Sequence, residues 1–192
     1  MDDGRDPGRL AVVGGPMFAG KTEELARRVR RAQVAGHEVL TVAHTLDDRY
    51  GAGVLASHSG VEIASRSVDA PSGIPGLVSA DTRMVAIDEA QFFGPGLVTV
   101  VLDLLDSGLD VVVAGLTVTF DGRPFEPLPA LMAVAETVVK LTAVCSVCGR
   151  DAAYHVRLPD AGNSPGDALV AVPAHVGGTD SYQARCRAHR HA

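Results

Sequence analysis

Leu10-Ala11-Val12-Val13-Gly14-Gly15-Pro16-Met17-Phe18-Ala19-Gly20-Lys21-Thr22 is the stretch that decides the fold. A short apolar run from Leu10 to Val13 breaks into turn residues, as a buried strand does. Gly15 to Thr22 then matches G-x-x-x-x-G-K-[ST] in full. The glycines let the backbone fold tightly, so that its N–H groups face an anion. The helix that follows adds the positive end of its dipole. That helix is expected from Thr22 to Ala35, where Leu25, Ala26, Val29, Ala32 and Val34 recur near helical spacing and Gly36 stops the pattern. On this reading Gly15, Pro16, Met17, Phe18, Ala19, Gly20, Lys21 and Thr22 cradle the phosphates of a nucleotide. Lys21 reaches the β- and γ-phosphates and the Thr22 hydroxyl ligates Mg²⁺. The bland alternative, a chance glycine-rich turn, is opposed by the strand–loop–helix context.

A second element supports the loop. Met84 to Ile87 is an apolar strand that ends at Asp88-Glu89. A carboxylate there suits a Walker-B partner, with Asp88 holding the Mg²⁺ shell through water. Neighbours on a strand face opposite sides, but where the strand ends both can line the crevice. Glu89 can polarise water, giving an ATPase. It can equally take a proton from a substrate hydroxyl, giving a kinase, or it can sit in a surface ion pair. Motif chemistry alone leaves that choice open.

Outward from these two points the chain alternates. Strands are expected at Val39–Ala43, Val111–Ala114 and Val138–Leu141, with a further one from Val61 to Val68 and a helix from Pro95 to Ser107. Thr45 to Gly60, rich in Gly, Ser and Asp, reads as a mobile loop. Alternation of this kind predicts an α/β fold, a P-loop NTPase-like parallel sheet with helices on both faces. Residues 1–9 read as a flexible tail, 10–141 as the α/β domain and 142–192 as a second module, where helical periodicity vanishes and Cys, His, Gly and Pro appear.

Composition sets the remaining bounds. A chain of 192 residues, 46% apolar and 21% charged, is ordinary for a globular protein and excludes a wholly disordered or collagen-like one. With 4% aromatics and no Trp, the core must come from Val, Leu, Ala and Ile. Seventeen basic against 23 acidic residues leave a net charge of −6, which speaks against a protein that grips nucleic-acid backbone. The basic run Arg27-Arg28-Val29-Arg30-Arg31 is therefore read as a solvated helix face. The opening MDDGRDPGRL has no apolar stretch of signal length, and the richest apolar region, Leu97 to Val118, is cut by Asp103, Asp106 and Asp110. A soluble, cytoplasmic protein with reduced thiols is expected, without membrane or nucleic-acid partners.

Taken together the motifs resemble a known family. The phosphate loop, Asp47-Asp48-Arg49-Tyr50, Asp88-Glu89-Ala90-Gln91-Phe92-Phe93, the run from Val139 through Cys145 to Cys148, and Tyr182-x-x-x-Cys186 look like the type II thymidine kinases, in order from about Leu10 to His189. The resemblance implies transfer of phosphate from ATP to the 5′-hydroxyl of thymidine, with Mg²⁺, a structural Zn²⁺, a homotetramer and feedback inhibition by thymidine triphosphate. It implies that Glu89 is the general base, that Arg49 reaches the transferring phosphate alongside Lys21, and that Asp47 supports the loop. Gln91 would lie beside the metal with Asp88, and Phe92 would stack near the base. Met17, Leu116, Phe120 and Tyr182 would line the thymine pocket, and the backbone of Val176, Gly177 and Gly178 would belong to a lasso-shaped loop that binds the base. Taken singly, Arg49 could be a solvated loop residue, Met17 filler, and Phe92 or Phe93 and Tyr182 core packing. Two departures bear on selectivity: Thr117 where the family usually has Asp, and His155, close to the base methyl, where it commonly has Thr.

Cys145-x-x-Cys148 with Cys186-x-x-His189 has the spacing of a zinc ribbon. Three thiols need one more donor; His189 keeps the two-residue gap of a knuckle and His191 is the substitute. Four protein ligands make the ion structural. It would anchor both ends of the lasso, so its loss is expected to affect the nucleoside more than ATP. The rivals to a kinase are a P-loop ATPase whose zinc module acts on nucleic acid, and a non-catalytic nucleotide sensor, against which Lys21, Thr22, Asp88 and Glu89 all stand.

Overall fold

Val12 and Val13, Val42 and Ala43, Val85 and Ala86, Val111 and Val112 are pairs of successive apolar residues, and each pair feeds two different cores. That is the mark of strands covered on both faces, because neighbouring side chains on a strand point opposite ways. The computed structural model describes residues 6–46, 54–56, 62–158 and 181–191. Its main sheet contains β1 (Leu10–Gly15), β2 (Glu38–His44), β5 (Arg66–Val68), β6 (Thr82–Ile87), β7 (Asp110–Leu116) and β8 (Thr137–Lys140). The order is β5-β2-β6-β7-β1-β8 and every pairing is parallel.

Helix α1 (Lys21–Val34) lays Leu25 and Val29 on one face, against Val13, Ala43, Ala86, Val112 and Ala114. Helices α2 (Leu97–Asp106) and α3 (Leu128–Val134) cover the other face with Leu97, Val101, Leu104, Leu105, Leu128 and Leu131. The two apolar layers are built from Val, Leu, Ile and Ala with Phe93, as the composition requires. The basic run of α1 lies on its outer side, where Arg27 and Arg28 both pair with Glu24, at 2.6 and 2.8 Å. Those guanidiniums draw the Glu24 carboxyl down to about 2.

Two expectations need correction. Within the stretch read as a loop up to Gly60, Val54–Ala56 forms a strand, β3, antiparallel to β4 (Glu62–Ala64). The single strand expected from Val61 to Val68 is two, β4 and β5, which join different sheets. One residue, Ser65, separates them, and the strands on either side of it pair with different partners, one antiparallel and one parallel. Helix α3 went unread, because seven residues starting Leu-Pro are too short to show a helical period.

Beyond the sheet lie two small antiparallel pairs: β9 (Ala143–Val144) with β10 (Asp151–Ala152), and β11 (Tyr154–Arg157) with β12 (Tyr182–Arg185). Among the described residues no helix is long and apolar enough to cross a membrane.

Candidate active site

In an all-parallel sheet the carboxyl ends of the strands share one edge, and ligands bind in the crevice beyond it. Here β1 delivers the loop 15–20, β6 delivers Asp88 and Glu89, and β7 delivers Leu116 and Thr117 to that edge. The loop holds its turn with two left-handed residues, Phe18 at φ 65° and Gly20 at φ 78°. At Gly20 the conformation suits the residue; at Phe18 it is strained for an L-side chain. Gly15 answers a different need: a Cβ there would stand 2.8 Å from the Leu141 carbonyl oxygen.

Lys21 is buried and its Nζ donates to the Pro16 carbonyl at 2.8 Å, so the ammonium lies across its own loop. The Thr22 hydroxyl donates to Asp88 Oδ2 at 3.0 Å. A hydroxyl and a carboxylate brought together at a phosphate loop are hard oxygen donors, the set Mg²⁺ takes. The other Asp88 oxygen accepts the Glu89 N–H at 2.9 Å. Glu89 is itself left-handed, at φ 48° and ψ 44°, which turns the chain sharply at the strand end. The turn sets Glu89 beside Asp88 at the end of β6.

A 3₁₀ turn over Ala90–Phe93 follows. Gln91 is buried; its amide donates to Glu89 Oε2, and its carbonyl oxygen accepts the Leu116 N–H at 3.0 Å. Phe92 and Phe93 pack near His44, at ring distances of 6.0 and 4.9 Å. Phe93 belongs to the core cluster, whereas Phe92 does not. His44 accepts the Leu46 N–H at Nδ1, which leaves Nε2 as donor to the Asp69 carbonyl at 3.1 Å. Burial lowers this imidazole's pKa, so the ring is neutral.

From the β11–β12 pair, His155 and Tyr182 approach the same crevice. They stand edge to face, 5.8 Å between centroids. Burial, and then the Lys21 charge, push His155 down to about 3, with Glu89 acting in the opposite sense. His155 is thus a neutral ring within electrostatic reach of both Lys21 and Glu89. Its Nδ1 and the Tyr182 hydroxyl are buried and have no hydrogen-bond partner among the described residues, and the same holds for Thr117 Oγ1. Orphaned buried polar atoms are costly, by about 1–3 kcal/mol each, and at a crevice they point to a ligand. Met17 is nearly buried, while Leu116 and Phe120 are half-buried at the ends of β7 and of the turn after it. Asp47, Arg49, Val176, Gly177 and Gly178 lie outside the described residues.

The cysteine module comes together as its spacing predicts. One donor atom from each of Cys145, Cys148, Cys186 and His189 lies within 4.8 Å of the others. Zinc with Zn–S of about 2.3 Å at tetrahedral angles sets its sulfurs about 3.8 Å apart. Cys148 and Cys186 Sγ are 3.7 Å apart, and His189 Nδ1 is 3.2 Å from Cys186 Sγ and 3.8 Å from Cys145 Sγ. All three cysteines are free thiols rather than disulfide partners. Burial works to raise Cys145, but backbone N–H groups of Cys186, Val147 and Cys148, with His189, bring it down to about 5. The sulfurs in turn raise His189. Three sulfurs and an imidazole nitrogen gathered in this way suit a cation at their centre, and the donor set fits zinc. His191 stands apart, bonded to Arg190.

One contact was not foreseen. The core of this module is Ala143, Cys145, Ala152, Ala184 and Cys186, and Phe18 and Ala19 of the phosphate loop pack against it. The expectation that the metal braces only the nucleoside side is therefore too narrow, because the phosphate loop rests on the same small core. Phe18 inside the loop motif is the signal that could have shown this, since a large apolar side chain there must find a partner.

Comparison with known proteins agrees with this geometry. The thymidine kinase family model matches residues 8–190. A thymidine kinase of Bdellovibrio bacteriovorus is 44% identical over 182 residues, 95% of this chain and 85% of that protein. One from Halobacterium salinarum is 42% identical over 191 residues, covering 94% and 92%. A third, from Coprothermobacter proteolyticus, is 43% identical over 182 residues, covering 95% and 90%.

Proposed function

This chain belongs to the thymidine kinase family, and from that premise we infer that it transfers the γ-phosphoryl group of ATP to the 5′-hydroxyl of thymidine. The observation that carries the reading is the meeting of Lys21, Thr22, Asp88 and Glu89 at one sheet edge, with Thr22 Oγ1 3.0 Å from Asp88 Oδ2. The deoxyribose oxygen attacks the γ-phosphorus, the bond to the bridging oxygen breaks, and ADP leaves. Glu89 takes the hydroxyl proton and passes it to solvent. Lys21 exchanges its bond to Pro16 for one to the phosphates, so its charge is already in place. Thr22 and Asp88 would hold Mg²⁺, which when bound neutralises charge on the β- and γ-phosphates.

The nucleoside would sit between Phe92 and the His155–Tyr182 pair. There the Nδ1 and hydroxyl, unpartnered among the described residues, suit a base with donors and acceptors of its own. Met17, Leu116 and Phe120 complete the apolar wall. The roles of Arg49 on the transferring phosphate, of Asp47 behind it, and of the Val176 and Gly177 backbone on the base rest on the family resemblance alone. So do the homotetramer, feedback by thymidine triphosphate, a cytoplasmic location and the division into a kinase domain, 10–141, and a zinc-binding lasso domain, 142–192. No feature of the site favours an ATPase acting on nucleic acid.

A panel of nucleosides with ATP and Mg²⁺, scored for monophosphate formation, tests the reading. Thymidine should be phosphorylated. ATP hydrolysis without nucleoside transfer, stimulated by DNA or RNA, would overturn it.

A further inference from the structure

We propose that Gln91 is the positioning residue of Glu89, anchored by the backbone N–H of Leu116; the proposal rests on the reading of Glu89 as general base. Gln91 is 2% exposed, so its amide must find its partners within the protein. Leu116 N–H can only donate, and the Gln91 atom it meets at 3.0 Å is therefore the carbonyl oxygen. The amide nitrogen is thereby forced toward Glu89 Oε2. The orientation follows from the backbone of β7 and leaves no freedom to flip.

Two further observations show that the arrangement is built. A Cβ at position 115 would stand 2.8 Å from Gln91 Oε1 and 2.8 Å from Leu128 Cδ2, so glycine there makes the room in which the amide lies. Glu89 has a left-handed backbone, which is strained for a residue with a side chain. Such a conformation persists where the surroundings hold it. The chain Gly115–Leu116–Gln91–Glu89 thus links the end of β7 to the carboxylate at the end of β6.

The consequence is chemical. Gln91 cannot itself take the substrate proton, so it acts through Glu89. Its N–H holds Oε2 and fixes the direction of the carboxylate. This differs from the metal-side role that the family resemblance implies for Gln91.

The test is the split between kcat and KM in the full-length enzyme. Gln91→Met should lower kcat by about 10- to 100-fold, the worth of a hydrogen bond to a charged group, with the KM for thymidine within about twofold. The KM for ATP should stay within about twofold as well, since the phosphate loop is untouched. Gln91→Glu keeps an acceptor for Leu116 and nearly the native shape, so it serves if the methionine variant does not fold. It lacks the amide N–H, so it should show the same fall in kcat with KM held. Gly115→Ala should reproduce the Gln91→Met split with Gln91 intact. A loss shared between kcat and the KM of both substrates would overturn the proposal and leave Gln91 a packing residue. Unchanged kcat in Gln91→Met would overturn it as well. Glu89→Gln separates the two layers. A loss of about 10²–10⁴ upholds the base, whereas near-normal turnover removes Glu89 from that role and the proposal with it.

Discussion

The two halves of the site are held in place by different forces. The sheet edge that carries Lys21, Thr22, Asp88 and Glu89 rests on two layers of Val, Leu and Ile, most of them fully buried. The hairpin that carries His155 and Tyr182 rests on three alanines and two cysteines. Burial stabilises at about 25 cal/mol per Å², and alanine offers little area to bury. The first region is fixed by the hydrophobic effect and needs no ligand to be so. The second has little apolar area to bury, and an ion at its Cys3His cluster would supply the hold. Phe18 and Ala19 join the two, since the phosphate loop leans on the coordinated side.

Changes on either side of that contact should separate the two forces. Of these changes, Lys21→Ala should have the largest effect on chemistry. Loss of a preorganised charge is worth about 10²–10³ in turnover, and triphosphate binding should weaken while zinc content and melting temperature hold. A fall in zinc content would show the two regions to be one cooperative unit. His189→Ala comes next. It should lower zinc content, open residues 149–185 to proteolysis and raise the KM of both substrates several-fold, because Phe18 and Ala19 lose their support. His191→Ala is the control and should do little. An ATP KM that does not move would mean that the loop stands without the module. Leu131→Ala should do the reverse, costing about 2–5 kcal/mol of stability with zinc retained.

The smallest expected effect belongs to His155. His155→Thr should shift the ratio of kcat/KM between thymidine and deoxyuridine, which differ by one methyl, by about 1–3 kcal/mol. It should also flatten the acid side of the stability curve. The buried ring is held near pKa 3, below its ordinary 6.5. Above 6.5 neither folded nor unfolded state binds that proton and the native contribution is complete. As pH falls from 6.5 toward 3 the unfolded chain takes it up first, and stability is lost by about 1.4 kcal/mol per unit. Urea titrations at pH 7 and pH 5 on both proteins measure the difference. Equal losses in both would show that another group titrates.

How much of this was legible beforehand depends on the range of the interaction. The phosphate loop, its strand and its helix are contiguous, and every residue from Leu10 to Val34 reads locally. Asp88 and Glu89 read as a strand end, and the four zinc donors read from two-residue gaps. The order of strands does not, because β1 lies between β7 and β8 through contacts made over a hundred residues apart. Nor does the tie from Gln91 to Leu116, 25 residues on, which no motif marks. The left-handed turn at Glu89 was equally invisible, since no glycine announces it. Short elements such as β3 and α3 fall below the length at which a period can be recognised.

A zinc ion held by the Cys3His cluster would also act as a crosslink in a polymer. It would tie Cys148 to Cys186 across 37 intervening residues. Closing a loop of that length with a covalent bridge removes about 4 kcal/mol of chain entropy from the unfolded ensemble, and a tetrahedral ion does the same for as long as it stays bound. The enzyme's thermal midpoint should therefore depend on free zinc concentration, as that of any folded state coupled to a ligand must. Two preparations of one sequence, washed with chelators of different strength, would melt at different temperatures.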